Sequence, residues 1–367
     1  MSKTLAEIAQ QLNGTDKKVQ LIYAFNGTGK TRLSRAFKHE IDPKQEGDDA
    51  SSELADKKII YYSAFTEDLF YWDNDLGQDA EPILKIQPNA FTKWVLEEQG
   101  QELSIARTFQ HYTSEKLTPH FSDDFSSVSF SFERGNQEPE PHIKISKGEE
   151  SNFIWSVFNA LLEQVIAELN IPEAADRSTD VFNKLTHVFI DDPVSSLDEN
   201  HLIELAVNLA ALIKSSESGL KFIITTHNPL FYNVLFNEFG NKGCYMLERL
   251  EGDSFALTEK KGDSNKSFSY HLHLLKTIEQ AIVDSKVERY HFTLLRNLYE
   301  KTASFLGYPK WPDLLPDDKQ LYYSRIINFT SHSTLSNEAV AQPTPAESAT
   351  VKLLLDHLKD KHAFSGA

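Results

Sequence analysis

The sequence of 367 residues predicts an α/β domain over residues 1–258, followed by a mainly α-helical domain over residues 259–367. Two observations predict this division. Short apolar runs separated by helical segments in the first part are typical of parallel strands buried on both faces. Beyond about residue 260, helical periodicity dominates. The core strands predicted in this way are residues 19–23, 188–190 and 222–224.

The same patterns predict the remaining elements of the first part. The strand at residues 19–23 leads into a glycine-rich turn, and a helix is expected over residues 31–40. Apolar and polar residues alternate over residues 127–145 around a turn near Gly135, which predicts a hairpin. The further predictions are a strand at residues 58–62, a long helix from about Glu149 and a crossover helix at residues 203–213. No sustained heptads occur, so we expect no coiled-coil arms.

Composition narrows the classes of function and location. A formal net charge of −17 argues against a protein whose whole surface binds nucleic acid, although a local basic site remains compatible with it. The single cysteine, Cys244, cannot form an internal disulfide, which fits a reducing compartment. The N-terminus lacks the apolar core of a signal peptide, and no apolar run reaches the length of a membrane span. We therefore expect a cytoplasmic protein with no membrane association.

Residues 24–31 form a Walker A phosphate loop with alanine at the usual first glycine. Its two glycines let backbone N–H groups curl around phosphate oxygens, at the positive end of the following helix. Lys30 would reach the β- and γ-phosphates, and Thr31 would hold Mg²⁺. A glycine turn before an ordinary helix is the alternative. The predicted nucleotide-binding residues are Asn26, Gly27, Thr28, Gly29, Lys30, Thr31 and Arg32.

The apolar strand at residues 188–190 ends in two acids and resembles a Walker B strand. Asp191 would bind Mg²⁺ together with Thr31. Asp192 stands where a carboxylate could orient the water that attacks the γ-phosphate, although glutamate is the usual residue there. Asp198 follows at the position of a D-loop, which makes an ordinary acidic turn the weaker interpretation.

Two further segments complete an ABC-type pattern. Residues 145–150 resemble the ABC signature, with lysine in place of the first of two glycines, although a helix N-cap explains them equally well. The predicted signature residues are Ser146, Lys147, Gly148 and Glu149. His227 ends a strand where the ABC switch histidine belongs, and Gln87 is a candidate for the Q-loop. The first domain is therefore predicted to be an ABC-type P-loop NTPase head. Because the signature of one ABC subunit closes over a nucleotide held by another, we expect a homo-oligomer with an even number of subunits.

The second part carries a cationic region. Residues 260–310 contain nine Lys or Arg against five Asp or Glu, a net charge of +4 in an anionic chain. Such a region suits a phosphodiester, although a solvated helix surface is the common explanation. Arg296 and Glu300 lie four residues apart on one predicted helix face. With His332 they would supply a cation, a base and an acid for cleaving RNA without a metal. A plain salt bridge and a surface histidine remain the alternatives.

At this point the sequence resembles the PrrC family of bacterial anticodon nucleases across nearly its whole length. The resemblance rests most strongly on the aromatic segment at residues 68–75 and on the segment at residues 262–270, since the ABC motifs are shared by many proteins. The other matching segments are residues 23–31, 146–153 and 189–198, with the set Arg296, Glu300 and His332.

The resemblance implies an ABC-like domain controlling a ribonuclease that cuts tRNA-Lys in its anticodon loop, leaving 2′,3′-cyclic phosphate and 5′-hydroxyl ends. By position, Arg296, Glu300 and His332 match the family's nuclease residues. Asp263 matches a residue implicated in recognising the modified wobble base, and the predicted tRNA-recognition residues are Asp263, Ser264, Asn265 and Lys266. The spacing of Arg325 and His332 also resembles the motif of HEPN ribonucleases, so Arg325 is a further candidate and the domain is expected to be HEPN-like.

The resemblance also implies cofactors and partners. ATP or GTP with Mg²⁺ would drive activation, dTTP would prolong the active form, and no metal is expected at the nuclease site. Family members are silenced by a type I restriction–modification enzyme and released during phage infection, so an anti-phage role is expected. The short segment before the Walker loop departs from longer members.

A second hypothesis stays open from the sequence. The chain could be a DNA-repair ATPase related to the SMC and Rad50 heads, with a C-terminal third that only binds a partner. The expected lack of coiled-coil arms and the segment at residues 262–270 weigh against it.

Overall fold

The computed structural model describes residues 2–43, 57–63, 69–73, 82–135, 140–193, 197, 199–240, 243–250, 252–260, 270–330 and 343–362. The chain divides into two compact units, Met1–Ser264 and Asn265–Ala367, called here the head and the helical unit. Within the described residues, no helix is both long and apolar enough to cross a bilayer.

The head is an α/β unit, and its elements follow the chain. Its helices are α1 (Leu5–Asn13), α2 (Lys30–Ile41), α3 (Ala90–Lys93), α4 (Glu102–Tyr112), α5 (Lys147–Leu169), α6 (Glu199–Ser215) and α7 (Pro229–Phe239), with a π-helical turn at Trp94–Glu98 and a 3₁₀ turn at Ala174–Asp176. Its strands are β1 (Val19–Tyr23), β2 (Ile59–Tyr62), β3 (Phe70–Asp73), β4 (Ile83–Ile86), β5 (Leu117–Phe121), β6 (Ser127–Phe132), β7 (His187–Asp191), β8 (Lys221–Thr226), β9 (Cys244–Arg249) and β10 (Phe255–Glu259).

The larger sheet of the head has the strand order β10-β9-β1-β8-β7-β2. All its pairs are parallel except β9 with β10. Strands β1, β7 and β8 are almost wholly buried, as expected for central parallel strands. Since Tyr23 pairs with Thr226, and Asp191 with Thr225, the carboxyl ends of the three strands meet at one edge.

A smaller antiparallel sheet has the order β3-β4-β6-β5. It packs on α5 through an aromatic cluster in which the ring of Phe153 lies 5.7 Å from Phe109 and 5.3 Å from Phe130. All three rings are buried. This contact orients α5, the helix that begins at the predicted signature segment.

The predicted strands and helices of the parallel sheet are present with small shifts in their ends, but three details differ. The hairpin over residues 127–145 is present in part. Phe132 and Glu140 exchange two backbone hydrogen bonds of 2.9 Å across the predicted turn, and the N–H of Ile143 donates to the carbonyl of Phe130. The regular ladders of β6 are formed instead with β4 and with the preceding β5. The long helix begins at Lys147 because Ser146 caps it. The segment before the Walker loop forms α1, and Lys3 bridges to Phe255 of β10.

The helical unit contains only helices among its described residues. They are α8 (Tyr270–Val283), α9 (Arg289–Phe305), α10 (Lys319–Thr330) and α11 (Pro345–His362), with a 3₁₀ turn at Trp311–Leu314. One apolar core joins all four helices and includes Leu275, Leu298, Ile326 and Leu354. The buried hydroxyl of Tyr299 donates to the carbonyl of Leu354 at 2.8 Å and ties α9 to α11. The mainly helical character predicted beyond residue 260 is confirmed for these residues.

His187 is a titratable group in the core of the head. It begins β7 and is only 6% exposed. Its ring lies 5.4 Å from that of Phe37, and Nδ1 lies 2.8 Å from the hydroxyl of Thr186. Burial, with a smaller contribution from the charge of Lys221, lowers the pKa of His187 from 6.5 to about 4. His187 is therefore neutral in the folded head at neutral pH.

We expect the head to lose stability as the pH falls from about 6.5 to about 4, because His187 binds a proton in the unfolded chain and not in the folded one. The contribution amounts to up to about 3 kcal/mol. Urea unfolding at several pH values measures it. A His187→Gln variant should show a flatter dependence over this range, whereas His39→Gln, at an exposed histidine of α2, should follow the wild type. Parallel curves for the wild type and His187→Gln would show that protonation of His187 does not cause the loss of stability.

Candidate functional site

The Walker loop lies between the end of β1 and the start of α2. Gly27 and Gly29 have φ angles of 79° and 110°, in the left-handed region that favours glycine. A Cβ at Gly29 would also crowd the ring of Phe255 at 3.3 Å, in addition to the strain from its φ angle. The turn is fixed further by the N–H of Thr28, which donates to the carbonyl of Phe25. The loop thus has the curled backbone that a phosphate site requires.

Lys30 is buried and its ammonium group is surrounded by acceptors from the protein itself. Its Nζ donates to the carbonyls of Ala24 and Phe25, at 3.2 and 3.4 Å, and to Oδ1 of Asn26 at 3.1 Å. It also lies 3.5 Å from Oδ2 of Asp192. The ammonium group is therefore satisfied by neutral acceptors of the loop and by the carboxylate of Asp192 after β7, and a phosphate would have to replace some of these contacts.

Asp191 joins three elements through its carboxylate. It accepts hydrogen bonds from the hydroxyls of Thr31, at 2.9 Å, and of Thr225. The residue is 4% exposed, and burial raises the pKa of its carboxyl, although both hydroxyls act in the opposite direction. The adjacent oxygens of Thr31 and Asp191 are the hard ligands that Mg²⁺ prefers, so the pair fits the predicted ion.

Asp192 and His227 are brought together beside Lys30. Nδ1 of His227 lies 2.5 Å from Oδ2 of Asp192, while the N–H of His227 and the hydroxyl of Thr226 approach the other oxygen at 3.3 Å. Asp192 has a φ of 55°, which aspartate tolerates better than most residues. The predicted hydrolytic acid, the switch histidine and the loop lysine thus form one contact network.

Arg32 extends from the first turn of α2 toward the hairpin of β9 and β10. Its guanidinium makes two hydrogen bonds of 2.8 Å to the carboxylate of Asp253 and lies over the ring of Phe255. Asp253 and Phe255 were not predicted to border the Walker loop. The pairing partner of β10 is not encoded in its own sequence, so the position of Phe255 beside the loop depends on the sheet register.

The predicted signature segment forms the N-terminus of α5. Ser146 and Glu149 make a reciprocal capping box, and the ammonium of Lys147 pairs with Glu150. This helix start is therefore compatible with an ABC signature and with an ordinary helix N-cap. Ser146, Gly148 and Glu149 line a shallow cavity of about 210 Å³ that His201 of α6 also borders. Gln87 is exposed just after β4, and Asp198 lies outside the described residues.

In the helical unit, Arg296 and Glu300 contact each other on α9. Nε of Arg296 donates to Oε1 of Glu300 at 2.7 Å, and both side chains are about one third exposed, at 33% and 36%. A cation and a carboxylate are thus held together at a surface that solvent reaches. Arg325 lies on α10, but its side chain is outside the described residues. The same is true of all of His332, Asp263, Ser264, Asn265 and Lys266.

Comparison with known proteins finds one close relative. The sequence is 68% identical to the anticodon nuclease of Escherichia coli, in an alignment covering 99% of this chain and 98% of that protein. No protein-family model matches the sequence.

Solved structures give weaker matches. An SMC head bound to the C-terminal winged-helix domain of ScpA matches with a TM-score of 0.33 and 12% identity, over 67% of this chain and 91% of that chain. The SMC head domain from Thermotoga maritima matches with a TM-score of 0.32 and 14% identity, over 68% and 92%. TM-scores this low do not establish a shared fold.

If Asp192 orients the attacking water, Asp192→Asn should lower Mg²⁺-dependent ATP or GTP hydrolysis about 100-fold. Nucleotide affinity should be unchanged or higher, because the neutral amide no longer attracts Lys30 at 3.5 Å. Phosphate release and titration with a fluorescent nucleotide measure the two effects. Asp176→Asn, at an exposed acid of the head, is the matched control. Hydrolysis by Asp192→Asn at the wild-type rate would show that this carboxylate has no part in the reaction.

Proposed function

Because this chain belongs to the anticodon nuclease family, we propose that it is an endoribonuclease that cuts tRNA-Lys in the anticodon loop under the control of its P-loop head. The observation that carries the proposal is the 68% identity to the Escherichia coli enzyme over 99% of the chain, since the alignment takes in both units. The choice of tRNA-Lys rests on the resemblance found in the sequence motifs.

The chemistry proposed for the helical unit needs no metal. Glu300 removes the proton from a ribose 2′-hydroxyl, and the resulting oxygen attacks the adjacent phosphorus. The bond to the 5′-oxygen breaks, His332 protonates that oxygen, and Arg296 stabilises the charge of the pentacovalent phosphate. The products are a 2′,3′-cyclic phosphate and a 5′-hydroxyl. The contact of 2.7 Å between Arg296 and Glu300 supports a shared site for the cation and the base.

The head is proposed to act as a switch. ATP or GTP with Mg²⁺ would bind at the Walker loop, where Thr31 and Asp191 would hold the ion and supply oxygen ligands. A phosphate would draw Lys30 away from Asp192 and so free that carboxylate to position water with His227. The contacts of Asp192 with Lys30 and His227 support this exchange, because these groups cannot contact each other and the nucleotide at the same time.

The proposed assembly is a homo-oligomer with an even number of subunits. Residues 146–149 of one copy would close over the nucleotide of another through the N-terminus of α5. The cavity beside Ser146 and Gly148 leaves this helix start accessible, which supports the proposal.

Substrate recognition and partners are proposed from the family resemblance. Residues 263–266 would contact the anticodon, and dTTP would prolong the active state. The chain would be cytoplasmic, and a type I restriction–modification enzyme would silence it until phage infection. The helical unit would be HEPN-like, with Arg325 as a further nuclease residue. The alternative of a repair ATPase without nuclease activity is disfavoured by membership in a nuclease family.

Glu300→Gln should lower the cleavage of tRNA-Lys at least about 100-fold, because an amide cannot accept the proton of the 2′-hydroxyl. The matched control is Glu279→Gln, which breaks an ion pair with Lys359 in the same unit and is expected to cleave at nearly the wild-type rate. Single-turnover cleavage by purified protein, with thermal unfolding of each variant, separates chemistry from stability. Equal cleavage by the two variants would mean that Arg296 and Glu300 form only a structural ion pair.

A further inference from the structure

The end of helix α9 presents a group of apolar side chains to solvent. We call residues 305–310 the α9 corner. Phe305 is 87% exposed, Leu306 is 43% exposed and Tyr308 is 39% exposed. A phenyl ring that remains in water contributes almost nothing to folding, since apolar surface stabilises only when it is buried. Packing in the core of the helical unit therefore does not explain why a phenylalanine stands at position 305.

The backbone of the α9 corner is fixed by hydrogen bonds. The N–H of Gly307 donates to the carbonyl of Ser304 at 3.2 Å, and the N–H of Tyr308 donates to the carbonyl of Ala303 at 2.9 Å. With Gly307 at a φ of 77°, this is the Schellman arrangement that ends a helix. The exposed rings thus stand on a defined turn.

The chain is anchored again directly after the corner. The ring of Trp311 lies 6.2 Å from that of Tyr299, in the core of the unit, and 5.4 Å from that of Tyr323 on α10. Helix α9 holds the corner on one side and this aromatic contact holds it on the other. A fixed backbone reduces the conformational entropy that the corner loses when a flat partner stacks on it.

Two lysines lie beside the apolar residues of the corner in the chain. Lys301 and Lys310 are both exposed and flank the apolar residues in the chain. Of the acids nearest in the chain, Glu300 bonds to Arg296 and Asp313 lies 3.9 Å from Lys319, while Asp317 and Asp318 are exposed. Exposed aromatic rings between two lysines match the chemistry of single-stranded nucleic acid, which offers flat bases between phosphates.

The corner also lies close to the proposed site of cleavage. Phe305 follows Glu300 by five residues on the same helix, a rise of about 7.5 Å along its axis and a rotation of about 140° around it. A strand that contacts both residues would therefore pass around the end of α9.

We propose that the α9 corner is a stacking platform for an unpaired base of the RNA substrate, with Phe305 and Tyr308 contacting the base and Lys301 and Lys310 contacting adjacent phosphates. The proposal rests on the proposed ribonuclease function for the identity of the ligand. It assigns to these four residues a role in binding RNA and none in the chemical step.

The test measures binding of a fully 2′-O-methylated anticodon stem-loop of tRNA-Lys, which cannot be cleaved, to the full-length chain by fluorescence anisotropy. Phe305→Ala should weaken binding about tenfold or more, as expected for one stacked base. Phe305→Trp should retain affinity, and its fluorescence should be quenched by the stem-loop but not by a fully paired duplex of the same length. Val283→Ala is the control, because Val283 is 76% exposed at the end of α8.

Wild-type affinity in both Phe305→Ala and Tyr308→Ala overturns the platform, even if tRNA cleavage is confirmed. Phe305-dependent binding without any cleavage would instead retain the platform and reject the proposed nuclease. If the stem-loop does not bind, the proposal is wrong. It is also wrong if Phe305→Ala abolishes only a self-association seen by light scattering, because the corner then contacts protein.

Discussion

The carboxylate of Asp191 is the interaction on which the head depends. A buried carboxylate is costly unless hydrogen bonds satisfy it, and here the hydroxyls of Thr31 and Thr225 do so. These bonds are possible only because β1, β7 and β8 run parallel and end at the same edge of the sheet. The same register places Lys30, Asp192 and His227 within reach of one another. The sheet topology thus assembles the site before any nucleotide arrives.

This assembly suits a regulatory role. Lys30 is satisfied by loop carbonyls and by Asn26, and Asp192 is satisfied by His227 and Thr226. A nucleotide must exchange these internal contacts for its phosphates, so binding and rearrangement are coupled. Under the proposed function, the head would provide a signal rather than a product. The proposed output lies on a separate helical unit, where Arg296 and Glu300 form a contact that requires only one helix.

The sequence predicted the parallel strands of the head well. Short apolar runs that end in acids or histidine have few structural interpretations other than buried strands that end at a site. It predicted the contact of Arg296 with Glu300 because helical spacing alone decides it. It was right only in part for the hairpin at residues 127–145, whose halves meet at Phe132 and Glu140, since alternation identifies the strand β6 but not its main partners β4 and β5. It also missed Asp253 and Phe255 beside the Walker loop, and the exposure of Phe305. These features depend on tertiary contacts. Only the helix end beside Phe305 had a local signal, which is Gly307 directly after an apolar segment.

The central claim is that this chain is a ribonuclease acting on the anticodon loop by metal-free chemistry. The most direct test maps the ends of cellular tRNA soon after brief expression of the chain. The account predicts breaks within the anticodon loop of tRNA-Lys that carry a 2′,3′-cyclic phosphate on one fragment and a 5′-hydroxyl on the other. Intact tRNA-Lys, or fragments with 5′-phosphate ends, would contradict it.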